Sequence, residues 1–199
     1  FKYRGATHAL LALEDEAVAG RRTRVVATHS SGNHGAALAR AARLFGWRCL
    51  VVTPRDASPV KLAAILAEGA ELHRCEPGLA PREAMLATLV QETGAAVVHP
   101  FDDSRVIAGQ GTAALELLTE QPQLDVFAAP VGGGGLLAGC ALAVRGMAPG
   151  CRVVGVEPAA ADDAAAAGLR RSAALRFSCA GRRRPPAGSA SSSSHRARC

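Results

Sequence analysis

The segment Thr28-His29-Ser30-Ser31-Gly32-Asn33-His34-Gly35 restricts this chain more than any other. It follows a β-branched run, Arg24-Val25-Val26-Ala27, and precedes an Ala/Leu/Arg-rich run of helical character over 36–45. A strand that gives way to small polar residues and glycine, and then to a helix, gathers backbone N–H groups and short side chains at one point. Such a junction holds an anion or a flat molecule at the end of an α/β sheet.

The rest of the chain alternates in the same way. Leu10, Leu11, Leu13 and Val18, spaced around Glu14-Asp15-Glu16, predict an amphipathic helix over 6–19. Strands are predicted at 24–28, 47–53, 71–74, 96–98, 125–131 and 152–157. Helices are predicted at 33–45, 61–68, 82–93, 104–120 and 136–145. Gly69 and Gly94 serve as helix stops, and Gly109-Gln110-Gly111 is expected to distort the first turns of its helix. This order indicates an α/β fold with parallel sheets.

Charge excludes some partners. The net charge is +6, but eight arginines lie from Arg170 onward, where there is no acid, leaving 15 basic against 17 acidic residues. A nucleic-acid face on the folded part is therefore not expected. No apolar run is long enough for a membrane span, and nothing at the N-terminus reads as a signal peptide. The six cysteines (49, 75, 140, 151, 179 and 199) show neither metal-ligand nor disulfide spacing, so a reducing, cytoplasmic compartment is expected. Residues 173–199, with Arg182-Arg183-Arg184-Pro185-Pro186 and four serines at 191–194, read as a low-complexity basic tail. It is either disordered or foreign to the fold, the second being favoured.

Lys2 is one of two lysines among 23 basic residues. A Schiff base needs an amine that can lose its proton, which lysine can do and arginine cannot. Lys61, at a helix start without comparable surroundings, reads as structural. The run Pro130-Val131-Gly132-Gly133-Gly134-Gly135-Leu136 ends a strand and opens a helix, so backbone N–H groups and a helix dipole face a phosphate there. Gly133 to Ala138 also fits the dinucleotide fingerprint G-x-G-x-x-A, and Glu157 stands where a ribose-binding acid belongs. Taken alone, this run divides evenly between a nicotinamide cofactor and a smaller phosphate.

Four motifs occur together and in order: Phe1-Lys2-x-Arg4-Gly5-Ala6, Ser30-Ser31-Gly32-Asn33-His34-Gly35, Ile107-Ala108-Gly109-Gln110-Gly111-Thr112 and the tetraglycine run. Over residues 1–170 the chain resembles the fold-type II pyridoxal-phosphate enzymes, which have a tryptophan synthase β-like fold. Within them it is similar to the serine racemases and the serine/threonine dehydratases. The resemblance implies that Lys2 carries pyridoxal 5'-phosphate covalently, with Phe1 packed beside the ring. It implies that Asn33 contacts the ring hydroxyl, and that Gly132, Gly133, Gly134, Gly135 and Leu136 hold the phosphate. Ser30, Ser31, Gly32, Asn33 and His34 would receive the substrate carboxylate together with Arg82.

Two features favour a racemase within this family. Ser31 stands where a proton donor opposite Lys2 is needed, and where biosynthetic threonine dehydratases usually have an alanine, which cannot relay a proton. The segment Glu157-Pro158-Ala159-Ala160-Ala161-Asp162-Asp163 matches one that binds a divalent cation in serine racemases. By that match Glu157, the Ala161 carbonyl and Asp163 are implied ligands of Mg2+ or Ca2+, which take oxygen donors. The implied activity is interconversion of L- and D-serine, with elimination to pyruvate and ammonia. The alternatives are an L-serine/L-threonine dehydratase and a non-catalytic binding or dimerising module. Implied partners are a small amino acid, L-serine or L-threonine, and a second copy in a homodimer, with no nucleic acid and no membrane.

The same resemblance implies a chain short at both ends. Residues 25–102 would form a whole small domain, and 1–24 with 103–172 part of a large one. An exposed sheet edge and marginal stability are expected to follow. Ala36 replaces the glutamine usual after the motif, which speaks against a nucleotide effector site.

Overall fold

A computed structural model describes residues 1–158 and the backbone of 174–177. Its elements run α1 (Lys2–Val18), β1 (Val25–Thr28), α2 (Asn33–Phe45), β2 (Arg48–Pro54), α3 (Pro59–Ala67), β3 (Glu71–Cys75) and α4 (Leu79–Thr93). They continue through β4 (Ala96–Val97), α5 (Ser104–Glu120), β5 (Val126–Pro130), α6 (Gly135–Met147), β6 (Arg152–Pro158) and β7 (Ala174–Phe177). Every strand pairing is parallel, in two sheets of order β3-β2-β1-β4 and β5-β6-β7. The α/β class read from the alternation is the observed one.

The first sheet is apolar on both faces, as parallel strands covered by helices must be. On one face Val26, Val51 and Val98 meet Leu10 and Leu13 of α1, Leu38 and Ala42 of α2 and Ile65 of α3. On the other, Ala27, Leu50 and Val52 meet Leu86 and Leu89 of α4. A separate core joins Ala114 and Leu118 of α5, Phe127 and Ala129 of β5, and Leu137, Cys140 and Val144 of α6. The strand β5 pairs only with β6 and so forms a sheet edge among the described residues.

Some boundaries differ from the sequence reading. Helix α1 begins at Lys2 rather than 6, so the lysine is helical. Helix α3 begins at Pro59, whose missing N–H has no partner to lose in a first turn. No element was expected after Ser172, yet β7 pairs with β6 from Gly155↔Ala174 to Pro158↔Phe177. The rest of the tail lies outside the described residues.

The expected distortion of α5 is absent, and the helix is continuous from Ser104 to Glu120. Its glycines instead permit close packing. A Cβ at Gly109 would come within 2.7 Å of the Arg4 carbonyl, the Gly5 Cα and the His8 Cβ of α1. A Cβ at Gly111 would meet the Gly139 carbonyl of α6 at 2.7 Å, and one at Gly139 would meet the Gly111 nitrogen at 2.7 Å. Helix α5 thus lies backbone to backbone against both neighbours. Arg4 adds a forked pair to Glu116 across the α1–α5 contact, at 2.5 and 2.6 Å. That pair faces solvent, so it orients the two helices more than it stabilises them.

His34, one residue into α2, is 2 % exposed and donates from Nε2 to the Val98 carbonyl at 3.1 Å. Burial pushes its pKa down to about 4, against the backbone hydrogen bond that pulls the other way.

These contacts generate two expectations. Gly139→Ala forces α5 and α6 apart and lowers stability by about 1–3 kcal/mol, as overpacking does, measured by urea denaturation. His34 stays neutral in the fold, so between its ordinary value of 6.5 and about 4 only the unfolded chain takes up the proton. Its contribution is whole above pH 6.5 and declines by about 3 kcal/mol on going down to pH 4. The stability of the native chain should therefore fall towards that of His34→Gln over this window, and parallel pH curves for the two proteins would refute the assignment.

Candidate active site

The site forms where β1, β4 and β5 end and α2, α5 and α6 begin. Gly32 and Gly134 precede α2 and α6, and neither helix start has a side-chain cap. Their first N–H groups are therefore left for another acceptor. Gly134 has φ +82°, a conformation that side chains resist and glycine accepts. A Cβ at Gly35 would strike the Ser30 carbonyl, so the Ser30–Asn33 loop curls tightly over its own helix. Helix α5 differs: the Asp103 carboxylate accepts from the Arg105 backbone N–H at 2.9 Å and caps it.

Lys2 opens α1, and its Nζ donates to the Pro100 carbonyl at 2.6 Å. The amine is half-buried, and that burial holds its pKa below the usual lysine value. The strap over 98–103, between β4 and α5, is tied along its length. Val98 accepts from His34, and the Asp102 and Phe101 N–H groups donate to His99 Nδ1 at 2.9 and 3.4 Å. The Arg105 guanidinium joins Asp103, at 2.7 Å, to the Val97 carbonyl, at 3.0 Å. The Phe101 ring lies against Gly133, and the Phe101 carbonyl sits 2.8 Å from where a Cβ on Gly135 would be.

Lys2, Ser30, Ser31, Gly32, Asn33, His34 and Arg82 share one cleft of about 590 Å³. Arg82 stands at its rim, with Nε donating to the Gly78 carbonyl at 2.8 Å. The cleft also takes in His29, His99, Pro100 and Phe101. Sequence reasoning named none of these four as site residues. The available signal was position, because His99-Pro100 follows the C-terminal end of a parallel strand, where such sheets place ligands.

Gly133, Gly134 and Gly135 line an adjoining trough of about 980 Å³, whose wall at Phe101 and Asp102 is shared with the Lys2 cleft. Gly132 lies in the turn before them, and Leu136 packs into the α5–α6 core. Phe1 and Asn33 border a smaller depression beside Lys2, where the Arg40 guanidinium stacks 5.2 Å from the centre of the Tyr3 ring. Glu157 is buried in β6, at 3 % exposure, and lines neither the cleft nor the trough. Ala161 and Asp163 lie outside the described residues. Among the described residues no group of three His, Cys, Asp or Glu side chains is placed to hold a metal.

Comparison with known proteins accords with this geometry. The family model described as "Pyridoxal-phosphate dependent enzyme" matches residues 1–191. Serine racemase of Dictyostelium discoideum is 44 % identical over 163 residues, covering 82 % of this chain and 49 % of that protein. The beta-hydroxyaspartate dehydratase of Paracoccus denitrificans is 46 % identical, covering 82 % of this chain and 50 % of that protein. The crystal structure of a T.th. threonine deaminase superposes with a TM-score of 0.74 at 47 % identity, covering 82 % of this chain and 52 % of that one. The chain spans about half the length of the curated relatives it matches. The family model covers nearly the whole chain, and on that match the chain belongs to the pyridoxal-phosphate dependent enzymes.

Proposed function

We propose that this chain carries the reacting groups of a serine racemase that also eliminates water from serine. The observation that supports it best is the shared cleft, in which the half-buried Lys2 amine, the Ser31 hydroxyl and the Arg82 guanidinium face one space. The donor set fits the family cofactor. The pKa of the Lys2 amine is lowered towards the range where it can act as a nucleophile, and the start of α6 offers uncapped N–H groups to a phosphate. In this reading Gly132 to Gly135 and Leu136 hold that phosphate, Asn33 meets the ring hydroxyl and Phe1 packs beside the ring. Pyridoxal phosphate, when bound, supplies a sink for the electron pair left at the substrate α-carbon.

The remaining chemistry belongs to the chain. The N–H groups at the start of α2, with Ser30 to His34 and Arg82, bind and orient the L-serine carboxylate. Lys2 Nζ removes the α-proton as a general base. Ser31 Oγ delivers a proton to the opposite face, giving D-serine, and recovers one from solvent. Loss of the β-hydroxyl as water in place of reprotonation, followed by hydrolysis of the dehydrated product, gives pyruvate and ammonia. L-Threonine has the same β-hydroxyl and is the second candidate substrate.

The two separate sheets support dividing 25–102, as a small domain, from 103–172, as part of a large one. We assign 1–24 to the large domain as well, although α1 packs on the first sheet as well as on α5. We assign a divalent-cation site, Mg2+ or Ca2+, to Glu157, the Ala161 carbonyl and Asp163. The burial of Glu157 at the end of β6 supports it. The described cysteines are free, which supports a reducing, cytoplasmic setting, and a homodimer is the proposed assembly.

Adding pyridoxal phosphate to the purified chain should produce a visible absorption band that Lys2→Ala lacks. No band in either protein would reduce the chain to a binding or dimerising module. In a coupled assay Ser31→Ala should lower D-serine formation about 100-fold or more, the scale of a lost general acid, and spare pyruvate formation. Equal loss of both products would remove Ser31 from the proton path, and pyruvate without D-serine in the parent would identify a dehydratase. Mg2+ or Ca2+ should raise the melting temperature of the native chain and leave Glu157→Gln unmoved; equal shifts in the two proteins would place the cation elsewhere.

A further inference from the structure

We propose that His99 is a positioning residue for Lys2: its Nδ1 ties the 99–102 bend into the shape that presents the Pro100 carbonyl to the lysine amine. The proposal rests on reading Lys2 as the reacting lysine, and it assigns no contact between His99 and substrate.

Geometry carries the argument. A hydrogen bond from Lys2 Nζ to the Pro100 oxygen fixes the amine at 2.6 Å from the bend. The bend is closed by the Asp102 N–H donating to His99 Nδ1 at 2.9 Å, with the Phe101 N–H on the same nitrogen at 3.4 Å. A nitrogen that accepts carries no proton, so the imidazole is neutral with its hydrogen on Nε2. Asn and Asp side chains close bends in the same way, by accepting N–H groups two or three residues on. Pro100, with φ held near −65°, suits the position directly after such a residue.

The ring is itself held. It packs edge-to-face against Phe101 at 4.6 Å and against His29 at 5.3 Å between centroids. Burial lowers the His99 pKa first, and the neighbouring His29 and Lys2 act in the same direction, while Asp102 and Asp103 oppose them. The neutral form that the bend needs is therefore the favoured one. Because Phe101 also lies against Gly133 and Gly135, the bend sets the lysine and the glycine turn in one frame. If the bend loosens, Lys2 loses its acceptor and swings towards solvent.

The test uses the whole chain with and without pyridoxal phosphate. In the native protein the His99 Nδ1 resonance in 15N NMR should have the shift of an unprotonated ring nitrogen at neutral pH. A protonated Nδ1 would overturn the proposal without any variant being made. In cofactor-free protein, titration of the Lys2 amine, followed by isotopic methylation, should move upward towards the ordinary lysine value in His99→Ala and stay near the native value in His99→Asn. With cofactor, the visible band should need about tenfold more pyridoxal phosphate in His99→Ala and be restored in His99→Asn. An unchanged Lys2 titration in His99→Ala overturns the proposal. So does a folded His99→Asn that behaves like alanine, which would give the imidazole a direct chemical role. If the native chain shows no band, the reading of Lys2 fails, yet the cofactor-free titration still decides whether His99 positions the amine.

Discussion

The backbone contact of α5 with α1 and α6 is the constraint on which the rest depends. Gly109 against Gly5, and Gly111 against Gly139, let three helices approach more closely than side chains allow. Lys2 sits one turn before Gly5 on α1, and the glycine turn sits one turn before Gly139 on α6. The seam therefore sets the distance between the amine and the glycine turn. Interiors at crystal-like density transmit such constraints, because there is no slack to absorb them.

Within that frame the 98–103 strap integrates the parts. It receives His34 from α2, Lys2 from α1 and Arg105 from α5, and it rests on the glycine turn through Phe101. Most of these bonds end on backbone carbonyls, whose positions depend on the fold rather than on a flexible side chain. The arrangement combines a rigid scaffold with helix starts whose donors stay open. Asp103 caps α5, while α2 and α6 follow glycine N-caps and have no side-chain cap.

How much of this was legible depended on range. The strand, loop and helix around Thr28–Gly35 are written in local residue types, and α2 spans the expected Asn33–Phe45. The parallel order followed from alternation alone. Gly109 and Gly111 misled because a sequence shows that a Cβ is missing but not what occupies its place. The space is filled by α1 and α6, so the helix stays regular. Likewise nothing near Lys2 in the sequence announces Pro100 as its acceptor, nor His99 as the residue that shapes the bend. The glycine run, undecided from spacing between a nicotinamide cofactor and a smaller phosphate, lies in a chain that the family match places among the pyridoxal-phosphate dependent enzymes.

The separation of Lys2 and Pro100 has a consequence for biosynthesis. They are 98 positions apart, so during translation the amine emerges well before its acceptor does. At about 5–20 residues per second that interval is about 5–20 s. Throughout it Lys2 is an ordinary amine, no different to an aldehyde from Lys61. With Lys2 as the proposed reacting lysine, selective capture of the cofactor would wait for the α1–α5 seam to close, which would make loading a late event and tie the choice of lysine to completion of the fold.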